Sequence, residues 1–416
     1  MSSAGHTPSG QTRPSWLGSG PLEGIRVIEV AGIGPVTFTA MLLANYGADV
    51  VRVSRPAGGR GTANTSADGL AAHRASVAID LRDPDGREAL LTLVERADVL
   101  LEGMRPGVME RLGLSPDECL ARNPGLVYGR ISGFGRTGPM AAMAGHDINY
   151  LALSGVLSLI CDPQTGRPLP PLNLVGDYGG GAMMLAVGVL AALAGRSRTG
   201  QGQVVDTSIL EGALHLLSIF YYGIAGSGGP ANAPTGGSTL LTGAGPFYRA
   251  YATSDGGYMA AGAIEEPFYL ELVSRLGLEA EDLPSRYDPA SWPELISRFE
   301  EAFASKTRAE WEEIFAGSDA CVVPVLSPAE APSNDQNSAA GLFTADGDGM
   351  VPDAAPRFSG TPARRPTGPA PEATVAELLA GWEVDPARLE AIEPGPFIPL
   401  SPAFHGQSAI QGNASK

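Results

Sequence analysis

A strand–helix–strand pattern near the amino terminus constrains the fold more than any other feature of the sequence. The pattern consists of a strand at residues 25–30, a turn at 31–35, a helix at 37–46 and a second strand at 49–53. Two strands joined by a helix form the unit from which parallel sheets are built. The sequence therefore predicts an α/β fold with a parallel sheet.

The alternation of strands and helices continues beyond this unit. Further strands are predicted at residues 77–81, 99–102 and 126–131, and Asp83 is placed to cap a helix predicted at 84–96. The first turn lacks the G-x-G-x-x-G spacing, so it carries no NAD fingerprint. These features predict a Rossmann-like, doubly wound open sheet, and sheets of this kind bind ligands at the carboxyl ends of their strands.

Two short stretches contain the residue types needed to remove a proton next to a carbonyl group. Residues 145–150 place His146 beside Asp147, and residues 173–181 place Asp177 before three glycines, where an apolar helical pattern begins. Two side-chain bases suit acid–base catalysis. The N–H groups of a helix start at residues 177–179 would stabilise a developing oxyanion. We therefore expect the fold to bring both stretches together as a site of proton abstraction.

Two of these residues also have a structural interpretation. Asp177 is placed to cap the helix that follows it, which is compatible with a catalytic role. Asp147 is placed to orient His146, although adjacent residues on a strand face opposite sides. The sequence leaves both alternatives open.

The net charge of −17 and the cysteines exclude several classes of protein. A nucleic-acid partner would need a basic face, which this composition does not offer. Three widely spaced cysteines, Cys119, Cys161 and Cys321, indicate neither a disulfide framework nor a metal site and fit a reducing cytoplasm. Residues 1–20 are interpreted as a disordered leader, and no stretch is judged apolar for long enough to span a membrane.

Several separated motifs, in the same order along the chain, resemble those of the class III (family III) CoA-transferase superfamily. Residues 24–29, 47–53 and 105–108 match motifs of the superfamily as a whole. Residues 144–150, 171–181, 262–265 and 319–322 are similar to motifs of one branch, the α-methylacyl-CoA racemases. The similarity runs from about residue 21 to about residue 326.

The resemblance implies an interlocked homodimer in which each subunit has a large Rossmann-like domain and a smaller α/β domain. CoA would bind to the large domain as part of an acyl-CoA substrate, not as a tightly bound cofactor, with the thioester near the dimer interface. The predicted boundaries are a large domain at 21–210, a linker at 211–247, a small domain at 248–335 and a C-terminal segment at 336–416 that returns to the large domain.

Local patterns predict the elements of the small domain and of the C-terminal segment. Strands are predicted at 257–261 and 322–326, and helices at 266–276, 292–305 and 308–315. Thr307 is placed to cap the last of these helices. One further helix, at 375–382, is predicted within the Pro-rich C-terminal segment.

Carried over residue by residue, the resemblance implies three catalytic positions and a CoA-binding set. His146 and Asp177 match the two catalytic bases, and Glu265 matches an acidic residue near the histidine. The segment at 79–82 matches a strand that lines the nucleotide, and the segment at 145–150 holds the acyl thioester. The implied CoA-binding residues are Arg55, Ile79, Asp80, Leu81, Arg82, Arg105, Gly145, Asp147, Ile148, Asn149 and Tyr150.

The sequence departs most from the family between residues 223 and 245. Family members usually carry an arginine, an asparagine and an aspartate where this chain has Gly236, Thr239 and Thr242. A charged segment has become a neutral one. Two interpretations remain open, a flexible linker and a remodelled pocket for an unusual acyl chain.

The implied function is that of a racemase or epimerase that inverts the α-carbon of 2-methylacyl-CoA thioesters. Two alternatives from other classes remain. A CoA-transferase would use Asp177 as a nucleophile that forms an acyl anhydride, a chemistry that does not need His146. A non-catalytic acyl-CoA-binding protein is the second, because of the altered segment at 236–246.

Overall fold

The structure is a computed structural model that describes residues 17–32, 34–56, 69–162, 165–236, 240–366 and 374–395. The chain forms two compact units. Unit 1 contains the described residues of Met1–Leu151, Leu172–Leu216 and Gly341–Lys416, and unit 2 contains those of Ala152–Pro171 and Leu217–Ala340. The predicted boundaries differ from this division, because residues 152–171 interrupt the large domain and residues 211–216 belong to it.

The strands are named in chain order. They are β1 (Arg26–Val30), β2 (Asp49–Ser54), β3 (Ala75–Ala78), β4 (Val99–Glu102), β5 (Val127–Ser132), β6 (Gln203–Ser208), β7 (Tyr248–Ala252), β8 (Tyr258–Gly262), β9 (Val322–Pro324), β10 (Phe343–Asp346), β11 (Gly349–Pro352) and β12 (Glu393–Pro394).

The helices are named in the same way. They are α1 (Pro35–Asn45), α2 (Pro84–Val94), α3 (Val108–Arg111), α4 (Pro116–Arg122), α5 (Asp147–Ser154), α6 (Val156–Leu159), α7 (Met183–Thr199), α8 (Ile209–Leu216), α9 (Ser218–Gly226), α10 (Glu266–Arg275), α11 (Trp292–Phe303), α12 (Arg308–Phe315), α13 (Asp335–Ala339) and α14 (Val375–Leu378). A π-helical segment, Leu174–Ala182, leads directly into α7.

Seven strands of unit 1 form one sheet in the order β12-β3-β2-β1-β4-β5-β6. Every neighbouring pair is parallel except β12 with β3. The strand order reverses between β1 and β4, which is the switch point where doubly wound sheets bind ligands. The predicted α/β, Rossmann-like, doubly wound fold is therefore confirmed.

The strands are apolar on both faces because helices cover both sides of a parallel sheet. Val27, Val50 and Val99 belong to one core with side chains of α1 and α7. Ile28 and Leu100 belong to the opposite core with side chains of α2. This second core also contains residues of the segment 375–392, so the C-terminal segment packs on unit 1.

Trp382 anchors the C-terminal segment. Its ring is fully buried, and its Nε1–H donates to Asp49 Oδ2 at 2.9 Å. The helix predicted at 375–382 is α14 followed by a short 3₁₀ turn. Residues 396–416 lie outside the described residues.

Several element boundaries differ from the predictions for local reasons. The helix predicted at 37–46 begins at Pro35, whose fixed φ suits the first helical position. The strand predicted at 77–81 ends at Ala78, because residues 79–82 turn towards α2. Asp83 caps α2 as predicted, since its carboxylate accepts from Asp85 N–H at 3.0 Å.

Unit 2 contains the antiparallel sheet β7-β8-β9 with α10, α11 and α12 packed around an aromatic core. Tyr251 stacks on Phe303 at 5.0 Å, and Phe303 meets Trp311 edge to face at 5.3 Å. The three predicted helices are present. Thr307 caps α12 as predicted, in a reciprocal arrangement with Glu310.

Three further expectations require correction. Part of the predicted linker is helical, since residues 211–216 belong to α8, which packs closely on the π-helical segment, and residues 218–226 form α9. Part of the predicted leader is ordered, since Ser19 exchanges backbone hydrogen bonds with Arg364; residues 1–16 lie outside the described residues. By length and composition the helical stretch Leu174–Thr199 is long and apolar enough to cross a membrane. Leu185 and Val189 are fully buried in the sheet core, as in a core helix.

Candidate active site

The predicted CoA-binding residues follow neighbouring strands of the unit 1 sheet at their carboxyl ends. Arg55 follows β2, the segment 79–82 follows β3, and Arg105 follows β4. The Arg55 and Arg105 side chains are exposed. The sheet order therefore brings two guanidinium groups to the edge where a ligand of this fold binds.

Ile79 departs from its predicted role as a lining residue. Its side chain is fully buried in the core, and its N–H donates to Ser54 O at 2.9 Å. The neighbouring Asp80 is exposed, but its carboxylate accepts from Arg82 N–H at 3.0 Å and forms a turn. The Ile79 side chain therefore belongs to the core and not to the edge of the sheet.

His146 lies immediately before the first residue of α5. The side chain is exposed, and the backbone N–H donates to Asn149 Oδ1 at 3.0 Å. Asn149 N–H donates in turn to His146 O at 2.8 Å. Residues 145–150 thus form a helix start, so the strand geometry assumed for Asp147 was wrong. The imidazole projects from a fixed backbone into a solvent-accessible site.

Asp147 has a role that the sequence analysis missed. Its carboxylate is 8% exposed and Oδ1 accepts from Asp177 N–H at 2.7 Å. Gly176 N–H donates to the same carboxylate. Asp147 therefore caps the helix that carries Asp177, and it orients Asp177 through that helix. The hypothesis that Asp177 is the cap was wrong.

Asp177 lies within the first turn of the π-helical segment rather than before a helix. The N–H of Asp177 is bound by Asp147, and the N–H of Tyr178 donates to Asn173 O at 3.2 Å. These two groups are therefore not available to an oxyanion. The prediction of an oxyanion site at residues 177–179 was wrong for both.

The three glycines after Asp177 allow close helix packing, not close approach of a ligand. A Cβ on Gly180 would lie 2.7 Å from Ala213 N, and a Cβ on Gly212 would lie 1.9 Å from Gly180 O. Both distances are too short for a side chain. The glycines bring α8 against the helix that carries Asp177 and so fix its position in unit 1.

The surroundings of Asp177 hold part of its carboxyl group in the protonated form. Burial is the largest cause that raises its pKa, the charge of Asp147 is the next, and together they bring it to about 6. A hydrogen bond from the Asn173 side chain and the charge of His146 lower this pKa. His146 therefore lies within electrostatic range of the Asp177 carboxyl group.

Tyr150 lies between the turn before His146 and the surroundings of Asp177 and Arg105. Its hydroxyl donates to Gly145 O at 2.5 Å and its ring meets Phe134 edge to face at 4.8 Å. Burial raises the pKa of Tyr150, the charge of Asp177 raises it further, and Arg105 lowers it. The ring braces the turn before His146 and lies within electrostatic range of both Asp177 and Arg105.

Glu265 is placed in unit 2, where it precedes the first residue of α10 and is exposed. Its side chain does not cap the helix. The structure describes the two units separately, so the predicted proximity of Glu265 to His146 stays a prediction.

The segment that departs from the family lies in unit 2 as well. Leu241 and Thr242 line an apolar cavity of about 310 Å³. Its other lining residues are Val156, Leu159, Ile160, Cys161, Leu217 and Phe220. Residues 237–239 lie outside the described part of the chain. The altered segment therefore lines a cavity within unit 2, and both interpretations of the segment stay predictions.

Sequence reasoning also missed three buried charged residues near the switch point. Glu29 on β1 and Arg52 on β2 interrupt apolar runs, and both form a buried ion cluster with Arg74. The sequence did contain a signal for this cluster, which is a single charged residue within each apolar strand. Because buried charges are normally paired, such a residue indicates an ion-pair partner elsewhere in the chain. No group of three or more potential metal ligands occurs among the residues that the structure describes.

The doubly wound sheet, with an imidazole and a partly protonated carboxyl group near its carboxyl edge, defines an α/β protein equipped for acid–base chemistry. Comparison with known proteins agrees. The family model for CoA-transferase family III matches residues 22–374. The chain belongs to this family.

Two relatives and one solved structure illustrate the similarity. An α-methylacyl-CoA racemase of Mus musculus is 46% identical, with 82% of this chain and 87% of the relative covered. The α-methylacyl-CoA racemase of Homo sapiens is 45% identical over the same shares of both chains. The crystal structure of Rv3272 from M. tuberculosis superposes with a TM-score of 0.68 at 26% identity, covering 84% of this chain and 97% of that one.

Proposed function

We propose that the protein is a racemase that inverts the α-carbon of 2-methylacyl-CoA thioesters by moving a proton between two bases. The observation that carries the proposal is the Asp177 carboxyl group, whose pKa is raised to about 6 by burial and by Asp147 and on which the charge of His146 also acts. A base that is partly protonated near neutral pH can take a proton in one direction and return it in the other. The 45–46% identity to two α-methylacyl-CoA racemases supports the same conclusion.

The reaction begins with removal of the hydrogen between the thioester carbonyl and the methyl branch. The electron pair of that C–H bond moves into an enolate, and negative charge develops on the thioester oxygen. Inversion requires one base on each face of the planar intermediate. One base takes the proton, and the other, already protonated, delivers a proton to the opposite face. His146 and Asp177 are the two bases.

The enolate oxygen needs hydrogen-bond donors. The first N–H groups of a helix have no acceptor within the helix. In α5 these groups belong to Asp147 and Ile148, directly after His146. We assign the thioester oxygen to this helix start, in place of the donors at 177–179. Losing one such donor typically costs about 10²–10³ in rate.

CoA enters as part of the substrate, and the structure offers groups that suit it. The guanidinium groups of Arg55 and Arg105 are exposed at the carboxyl edge of the sheet, and arginine binds phosphate oxygens through paired N–H donors. The proposed compartment is the reducing cytoplasm, in which Cys119, Cys161 and Cys321 would stay the free thiols that they are in the structure.

The functional unit is proposed to be an interlocked homodimer. Unit 1 exposes a set of large apolar side chains on and next to the helix of Asp177 and α8: Leu172, Leu174, Met183, Val187, Leu214 and Leu216. Monomeric proteins rarely expose extended apolar patches, so a second copy of the chain is the proposed cover. Light scattering should show a dimer that persists on dilution, and an active monomer would refute this part of the proposal.

Proton exchange in D₂O tests the chemistry. The protein is incubated with each enantiomer of several 2-methylacyl-CoAs, and NMR follows loss of the α-proton. We expect deuterium at Cα together with inversion. His146→Ala and Asp177→Ala should each abolish inversion. Each variant should still exchange the α-proton of one enantiomer, and the two variants should differ in which enantiomer that is. Asp117→Ala is the control, because Asp117 is an exposed carboxylate on α4.

A parallel assay measures transfer of CoA to a free carboxylic acid. Transfer without deuteration at Cα would assign the protein to the transferases, with Asp177 as nucleophile. Binding of acyl-CoA with neither reaction would identify a non-catalytic binding protein. Inversion at the wild-type rate in His146→Ala would refute the two-base mechanism.

A further inference from the structure

Three charged side chains are buried together next to the switch point of the sheet. Glu29 on β1 is fully buried, and Arg52, its direct neighbour on β2, is 3% exposed. Arg52 binds Glu29 Oε1. Arg74, which precedes β3, places Nε 3.1 Å from Glu29 Oε2. Buried ion clusters of this kind add little stability because desolvation offsets their attraction. Stability alone therefore does not explain the cluster.

The cluster is tied to the connection between β1 and α1. Arg52 Nη1 donates to Thr37 Oγ1 at 3.1 Å, and Nη2 donates to Gly32 O at 3.4 Å. The Thr37 hydroxyl donates to Gly32 O at 3.2 Å. Thr37 is itself fully buried. The carbonyl of Gly32 and the first turn of α1 are thus held by one guanidinium group.

This connection touches the carboxyl group of Asp177. Gly34 adopts a φ of +77°, and a Cβ at this position would lie 3.4 Å from Asp177 Oδ2, so the Gly34 backbone lies against the carboxylate. Just beyond it, the Phe38 ring stacks on Tyr178 at 4.6 Å. The connection and α1 therefore cover the residue that the proposed mechanism uses as a base.

We propose that Glu29, Arg52 and Thr37 are positioning residues for Asp177. The ion cluster fixes Arg52, and Arg52 and Thr37 together hold the carbonyl of Gly32 and the first turn of α1. Gly34 lies against one side of the Asp177 carboxyl group and keeps water from it. The inference rests on the proposed function, in which Asp177 transfers a proton at the substrate α-carbon. It predicts that loosening this connection alters Asp177 without altering the binding of CoA.

Thr37→Val is the primary test because it removes the hydroxyl and retains the branched shape. Misplacement of a catalytic group by about 1 Å can cost about 10² in rate. We expect the exchange catalysed through Asp177 to fall by about 10- to 100-fold in kcat at unchanged KM. Thr92→Val is the matched control, since Thr92 is 2% exposed and donates to Glu88 O at 2.9 Å within α2.

A second measurement does not depend on turnover. The carboxyl carbon of Asp177 is labelled with ¹³C, assigned by its absence in Asp177→Asn, and titrated by NMR. In Thr37→Val water should reach the carboxyl group, and its pKa should fall by about one unit from about 6. The titration in Thr92→Val should match that of the wild type.

Glu29→Gln provides a second variant of the cluster, and its melting curve shows whether it folds. If it folds, it should shift the Asp177 titration in the same direction as Thr37→Val. An Asp177 titration and kcat in Thr37→Val equal to those of Thr92→Val would overturn the inference. A wild type without α-proton exchange would overturn the proposed racemase, while the titration would still decide whether the cluster positions Asp177.

Discussion

Replacing Asp147 with asparagine separates the charge of this residue from its hydrogen bond. The Asp147 carboxylate accepts from Asp177 N–H at 2.7 Å, and its charge raises the pKa of the Asp177 carboxyl. An asparagine side chain carries an amide oxygen that can accept the same bond, but it has no charge. The variant should therefore keep the helix start and change the acidity of Asp177.

The size of the change follows from the Asp177 pKa. It stands at about 6, against an ordinary value of 3.8, with burial as the larger cause and Asp147 as the next. A neighbouring like charge raises a carboxyl pKa. A fall of about one unit in Asp147→Asn, equivalent to about 1.4 kcal/mol, would bring the Asp177 pKa to about 5. At pH 5 about a tenth of Asp177 is ionised in the wild type and about half in the variant. The carboxylate available as a base at pH 5 therefore rises about fivefold.

The assay is the pH dependence of α-proton exchange in D₂O for the enantiomer whose proton Asp177 removes. This rate rises with pH as the carboxyl group ionises, and the midpoint of the rise should move about one unit lower in Asp147→Asn. Asp147→Ala is the companion variant. It removes the cap as well, so its free energy of unfolding should fall by about 0.5–2 kcal/mol. An unchanged midpoint in Asp147→Asn would refute the electrostatic role of Asp147.

Three further predictions follow from the same contacts. A raised carboxyl pKa opposes ionisation in the folded state, so the stability due to protonated Asp177 is complete below pH 4 and is lost as pH rises through about 6. Denaturant titration should therefore show that Asp177→Asn is more stable than the wild type at pH 8 by up to about 3 kcal/mol. The two proteins should have equal free energies of unfolding at pH 4. Gly180→Ala should lower the free energy of unfolding by about 1–3 kcal/mol, because its Cβ would lie 2.7 Å from Ala213 N. Gly195→Ala, in the open part of α7, should leave the free energy of unfolding unchanged. Equal melting curves for the two variants would contradict the packing argument. Arg55→Ala should weaken CoA binding in calorimetry without changing the melting curve. Arg198→Ala, an exposed arginine on α7, is the control and should bind CoA as the wild type does. An unchanged Kd for CoA in Arg55→Ala would remove Arg55 from the site.

Several predictions from local patterns were accurate. The strands that contain Val27, Val50 and Val99 were predictable because a parallel sheet buries both faces of each strand. Asp83 and Thr307 were predictable caps, because a cap lies within three residues of the N–H group that it binds. In each case the residues that decide the structure are close together in the sequence.

The start of the Asp177 helix was not predictable in the same way. Its N–H groups are bound by Asp147, which lies 30 residues earlier in the chain. The sequence offered Asp177 itself as the nearest candidate cap, and the resemblance assigned Asp147 to CoA binding rather than to capping. Glu29 and Arg52 show the same limit, because each was visible as a charge in an apolar strand but its partner was set by the register of two strands.

The unlike identities of the two proposed bases explain why one of them is buried. Epimers at the α-carbon of an acyl-CoA have nearly equal free energies, so a racemase must run at similar efficiency in both directions. A large difference in acidity between the two catalytic acids would leave one of the two required protonation states scarcely populated, which slows both directions. As residue types in water, aspartic acid is more acidic than imidazolium by about 2.5 pKa units. Burial and the charge of Asp147 raise the Asp177 pKa to about 6, well above the ordinary range of an aspartic acid carboxyl group. The cap, the close packing at Gly180 and the covering backbone of Gly34 thus serve one purpose, which is to make a carboxyl group a suitable partner for a histidine.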